Sequence, residues 1–129
     1  MPRVSAAFFM TGALFLLIGM GWGMAMGASQ NFALAPAHAH LNLLGWVTMA
    51  IYGTFYALTH ANLSPRLAWI NYICATLGVA IMIPALAMFI TTGNPALEAG
   101  IGIGGLLNVI ALLTFMLSAF RELKRPRLS

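Results

Sequence analysis

Charged side chains are nearly missing from this chain: of 129 residues, 6 are Lys or Arg and 2 are Asp or Glu, while 61% are hydrophobic. So little polar surface cannot clothe a globule in water, which leaves lipid as the solvent for most of the chain. Cysteine occurs once, at Cys74 inside an apolar run, so no internal disulfide can form and the residue reads as a small buried apolar side chain. Long polar connections are lacking as well. The stretches 28–36, 60–66 and 92–96 are too short to hold a second domain, so residues 1–129 are expected to form one transmembrane domain.

What is present is a set of four apolar runs, 4–27, 37–59, 67–91 and 97–120, each close to the roughly 20 residues that cross a bilayer as helix. The expected fold is an all-α integral membrane bundle of four transmembrane helices. The first run exceeds the roughly 7 to 15 residues of a signal-peptide core, so it is kept as a mature helix. Arg3 precedes the first run, Arg66 lies between the second and third, and Arg121, Lys124, Arg125 and Arg127 follow the fourth. All six cations therefore share one side, with only Glu98 on the other, which predicts cytoplasmic N and C termini in a multi-pass protein of a bacterial inner membrane. The net charge of +4 is then a topology signal and an attraction to anionic lipid, not a sign of nucleic-acid binding.

In the first helix Gly19, Gly23 and Gly27 recur every four residues, and the fourth repeats the device with Gly100 and Gly104. Such faces let two backbones approach closely, whether the partner helix belongs to this chain or to another copy. Met20, Met24 and Met26 cluster toward the outer end of the first helix. Thioethers are soft copper(I) ligands and also common fillers of apolar packing.

The second helix opens Pro36-Ala-His38-Ala-His40-Leu-Asn42-Leu-Leu-Gly45-Trp46, placing two imidazoles and an amide at the outer edge of the membrane. Polar groups there are costly and face a bundle interior, a partner or a cofactor. A spacing of two residues rotates a helical side chain by about 200°, so His38 and His40 project from opposite flanks and cannot both ligate one iron. Gly45, about two turns below His38, leaves room for a flat macrocycle against the helix, with Asn42 on nearly the same face. The remaining histidine, His60, sits near the other end of this helix, about 30 Å away at about 1.5 Å per residue, and reads as a solvated loop residue. The sixth ligand of a haem iron held here would be a methionine, or a histidine from another copy, or absent. Opposed flanks suit a ring in which His38 of one subunit and His40 of the next clamp one haem.

The segment from Pro36 to Trp46 resembles the haem-ligand segment of the catalytic subunit of haem-copper oxidases and related nitric oxide reductases. In that family twelve helices form three arcs of four, and one His-x-His pair serves two different haems. This chain is similar to a single arc, one third of that fold. The resemblance is specific over about a dozen residues of the second helix and architectural elsewhere. It implies that His38 and His40 are haem ligands, with Asn42, Gly45 and Trp46 around the cofactor, and that three copies assemble as a homotrimer. The family's copper site needs three further histidines, which this chain lacks on the outer side, so no oxygen-reducing enzyme is expected from it.

The expected function is that of a haem-b-binding homotrimer passing electrons near the outer face, haem b rather than haem c because no Cys-x-x-Cys-His is present. One rival is a copper-binding or assembly protein using His38, His40 and the Met cluster. A second is an accessory membrane subunit without metal.

Overall fold

The computed structural model describes residues 1–126, in which all regular structure is helical, so Arg127 of the cationic set lies outside the described residues. Four long helices follow one another: α1 (Arg3–Ser29), α2 (Ala35–Leu58), α3 (Pro65–Thr92) and α4 (Glu98–Leu123). Each is long and apolar enough to cross a membrane. In lipid the backbone must satisfy its own hydrogen bonds, and continuous helix does this for an unbroken apolar run.

The ends fall within a few residues of the expected limits, and local chemistry sets them. α1 stops where Gln30 adopts a left-handed conformation at φ 56°. α3 stops at Gly93, also left-handed at φ 66°, whose amide donates to the Phe89 carbonyl. Pro36 and Pro65 occupy the first turns of α2 and α3, where a missing N–H costs nothing. The Asn94 side chain accepts from the Ala96 amide and starts the single turn Pro95–Leu97 that leads into α4. There the exposed Glu98 carboxylate sits in the first turn, where the helix dipole favours negative charge.

α1 and α2 pack antiparallel in a fixed register. Gly53 receives Phe8, Gly12 receives Met49 and Trp46, Gly45 receives Phe15, Gly19 receives Asn42 and Gly23 receives His38. α3 and α4 form a second antiparallel pair around Gly78, Gly100 and Gly104; a methyl group at residue 104 would fall 2.6 Å from Met82 Cβ and 2.7 Å from the Gly78 carbonyl oxygen. The glycine faces at 19, 23, 100 and 104 are thus consumed inside the chain, whereas Gly27 has nothing against it.

One core cluster, around Phe8, Met49, Tyr52 and Tyr56, fills the end that carries Arg3 and Arg66. A second, of Leu41, Val79, Met82 and Ile83, lies under the histidines. Cys74 packs against the first cluster, as a small apolar side chain would. Interhelix hydrogen bonds lace the first cluster: Asn71 Nδ2 donates to Tyr56 Oη at 2.9 Å, and the Thr11 and Tyr72 hydroxyls meet at 2.7 Å. Tyr72 is thereby tied to α1. At most 33% of any span's apolar window is buried within the chain. The rest of each span is half-buried or exposed.

α2 is not uniform. Residues Leu43–Thr48 form a π-helical segment directly below the histidine pair, with the Thr48 hydroxyl donating to the Leu43 carbonyl at 2.8 Å. Short π segments inside α-helices are concentrated at functional sites.

Candidate functional site

Pro36 begins α2 just above the register contacts with α1, so the first turns of α2 carry both histidines at one end of the bundle. They project from different flanks, as the spacing predicts, and meet different surroundings.

His38 turns inward onto α1. It is half-buried, its ring lies edge-on to Trp22 with centroids 6.4 Å apart, and a methyl group at residue 23 would come within 3.0 Å of its Cε1. The Asn42 amide nitrogen lies 3.3 Å from His38 Nε2. With the amide donating, Nε2 is the bare nitrogen and Nδ1 carries the proton. Nδ1 is enclosed and has no partner, and neither has Asn42 Oδ1, which presses on Gly19. Flipping the amide exchanges the roles and still leaves two enclosed polar atoms unmatched. Each costs about 1–3 kcal/mol.

His40 turns outward and is exposed. Its Nδ1–H donates to the carbonyl of Pro36 at 2.7 Å. In the neutral ring, a proton donated through Nδ1 leaves Nε2 with a free lone pair pointing away from the helix. This backbone-anchored tautomer is the one in which histidines bind metals.

The other residues marked by the sequence divide between these two sides. Asn42 and Gly45 face α1 with His38. Gly45 does share a face with His38, but the space beside it belongs to Phe15: a methyl group at residue 45 would be 3.0 Å from Phe15 Cβ. In this structure Phe15, not open space, lies beside Gly45. Trp46 packs on Gly12 and edges an open groove of about 520 Å³ that runs past Val47, Ile51 and Thr54 to Phe115 of α4. The methionine cluster is split, since Met20 and Met24 are 56% and 75% exposed while Met26 is buried at 8%. Among the described residues no three His, Cys, Asp or Glu side chains converge as a metal site. His60 is exposed, with its Nδ1 3.2 Å from the Ala57 carbonyl, at the opposite end of α2.

Sequence reasoning missed the Pro36 carbonyl, the Trp22 ring and the pairing of Gly19 with Asn42 and Gly23 with His38. The last was recoverable, because glycines four apart in α1 match polar residues four apart in α2 when the helices run antiparallel. Compared with protein-family models, with characterised proteins and with solved structures, the chain matches none.

Proposed function

We propose that the chain is a haem-b-binding membrane protein that assembles as a homotrimer and carries single electrons at the outer side of a bacterial inner membrane, its termini in the cytoplasm. The observation that carries this reading is His40, whose proton is committed to the Pro36 carbonyl and whose bare Nε2 faces outward. An exposed imidazole so fixed is suited to an iron held between copies of the chain. His38 of a neighbouring copy would supply a second ligand nitrogen. Its hold on Asn42 is long, and turning it outward exchanges a strained burial, with Nδ1 enclosed and unpartnered, for a metal bond.

A bound haem b supplies one-electron exchange at its iron, and two histidine ligands leave no open position for a gas. The chain's own contribution is to fix the His40 tautomer and to present the exposed apolar stripe of Leu43, Val47 and Ile51 for a neighbouring copy to cover. Three four-helix arcs then make the twelve helices that the resemblance implies. The copper reading is less well supported, because Met20 and Met24 face away from the bundle and do not join the histidines.

The test is an optical spectrum of the purified protein, oxidised and then dithionite-reduced, beside His38→Ala and His40→Ala. A Soret band with sharp reduced α and β bands, lost in either variant, together with a trimer mass, supports the proposal. A haem-free spectrum from cells supplied with ample haem overturns it.

A further inference from the structure

α1 and α2 pair at one register along their length: Phe8 meets Gly53, Gly12 meets Met49, Phe15 meets Gly45, Gly19 meets Asn42 and Gly23 meets His38. The numbers of these partners total 60 or 61 at every level of the bundle. The contacts occupy one side of each helix and leave another side bare.

The bare side of α1 carries Met10, Leu14, Leu17, Gly21 and Met24, in alternating steps of four and three residues, the spacing of a seam that a second helix can follow. Its four large side chains are all more than half exposed, and a methyl group at residue 21 would meet nothing within 4 Å. The bare side of α2 carries His40, Leu43, Val47, Ile51 and Thr54, all exposed and again three or four residues apart. Its inner half opens into the groove of about 520 Å³ lined by Trp46, Ile51 and Phe115.

Copies inserted with the same orientation lie at the same depth, because each must match its apolar spans to one hydrocarbon layer. α1 of one copy is then level with α2 of the next at the same numbers as within the chain. Met10 comes level with Ile51, Leu14 with Val47, Leu17 with Leu43 and Gly21 with His40. Met10 and Leu14 thus fall along the groove. Inside the chain two polar side chains of α2 are already seated on glycines of α1, Asn42 on Gly19 and His38 on Gly23. Gly21 offers His40 the same relief from outside. A lipid tail could cover either side, but it has no use for a glycine in mid-helix, which costs stability relative to alanine.

We infer that the bare side of α1 packs on the bare side of α2 of a neighbouring copy, Leu14 against Val47, with Gly21 leaving room at His40 for the imidazole and what it binds. The contact deepens the homotrimer proposed above and rests on that reading for the number of copies. It does not require haem to be present.

The test is disulfide trapping of the full chain in the membranes of the expressing bacterium, on a Cys74→Ala background. A chain with Leu14→Cys and a chain with Val47→Cys, carrying different epitope tags, are co-expressed and oxidised with copper phenanthroline. This pair is expected to form a mixed disulfide, for which the Cβ atoms must approach within about 4.5 Å. Leu14→Cys beside Leu58→Cys, displaced in depth by roughly 16 Å at about 1.5 Å per residue, should form none. Neither single variant should dimerise with itself. Gly21→Phe fills the room at His40 and should lower the trapped fraction, with helix content unchanged by circular dichroism because nothing in the chain adjoins residue 21. Absence of the mixed disulfide, an equal yield with Leu58→Cys, self-dimers as abundant as the mixed one, or a yield indifferent to Gly21→Phe overturns the inference. A trimer mass and a haem spectrum without the mixed disulfide refute this contact and leave the proposed function standing; the mixed disulfide in haem-free protein does the reverse.

Discussion

The imidazole of His38 is seated on Gly23 of the antiparallel neighbouring helix, with 3.0 Å between its Cε1 and the place where a methyl group at residue 23 would stand. One turn further along, Asn42 rests on Gly19 in the same way. Two polar side chains thus enter an apolar interface because two glycines make room for them. Gly23→Ala needs only a few tenths of an ångström of give from the imidazole and is expected to be mild. Gly23→Leu evicts His38 and overpacks the interface, at about 1–3 kcal/mol. Thermal unfolding in detergent checks the order, and equal melting temperatures for the two variants would show that the seat is not tight.

The two histidines should respond unequally to alanine in a stability measurement. His40 is exposed and bonds only to its own helix, so His40→Ala is expected to shift stability by less than about 0.5 kcal/mol. His38→Ala opens a void against Trp22 and Gly23 and strips Asn42 of its one partner, at about 1–3 kcal/mol. Haem absorption, under the proposed function, is lost in both. A variant pair that loses haem together while differing in melting temperature separates ligation from packing. If His40→Ala unfolds the protein as readily as His38→Ala, the outward assignment of His40 is wrong.

The four helices were legible because apolar length is a strong and local signal in a chain with almost no charge. The opposed directions of His38 and His40 were legible for a similar reason, since both lie in a regular turn of helix where two residues fix an angle. What lies beside each flank was not. Gly45 sits where the reading put it, on the His38 face, but nothing in the α2 sequence says that Phe15 of α1 fills that side. Nothing around Tyr72 in the sequence points to its partner, the Thr11 hydroxyl 61 residues away in the chain. The π segment is equally silent in sequence, because Leu43–Thr48 reads as part of one continuous apolar run.

The glycines of α4 offer a matched comparison. Gly104 abuts the backbone of α3, which cannot rotate aside as a side chain can, whereas Gly102 and Gly105 have nothing within 4 Å of an added methyl group. Gly104→Ala is expected to destabilise by about 1–3 kcal/mol through separation of α3 and α4. Gly102→Ala and Gly105→Ala remove a flexible residue from a helix interior and should stabilise by up to about 1 kcal/mol in the monomer. Denaturation in detergent distinguishes them. Destabilisation by Gly102→Ala or Gly105→Ala that grows with protein concentration would instead place that face of α4 in a contact between copies.

At the far end of the bundle from the histidines, Asn71 is fully buried and donates to the Tyr56 hydroxyl, which in turn lies 3.4 Å from Ser118 Oγ on α4. The hydroxyl accepts from Asn71 and has its own proton to give to Ser118. The first contact is short and enclosed; the second is long, and Ser118 has a further bond to the Thr114 carbonyl. Tyr56→Phe strands the Asn71 amide, whose Oδ1 already lacks a partner, and is expected to cost about 1–2 kcal/mol. Ser118→Ala removes only the weaker contact and should cost less than about 0.6 kcal/mol. In Tyr56→Phe combined with Asn71→Leu, no polar group is left stranded, so the double variant should recover most of the loss. Additive losses in that double variant, measured by denaturant unfolding in detergent, would mean that the hydroxyl serves packing and not the Asn71 amide.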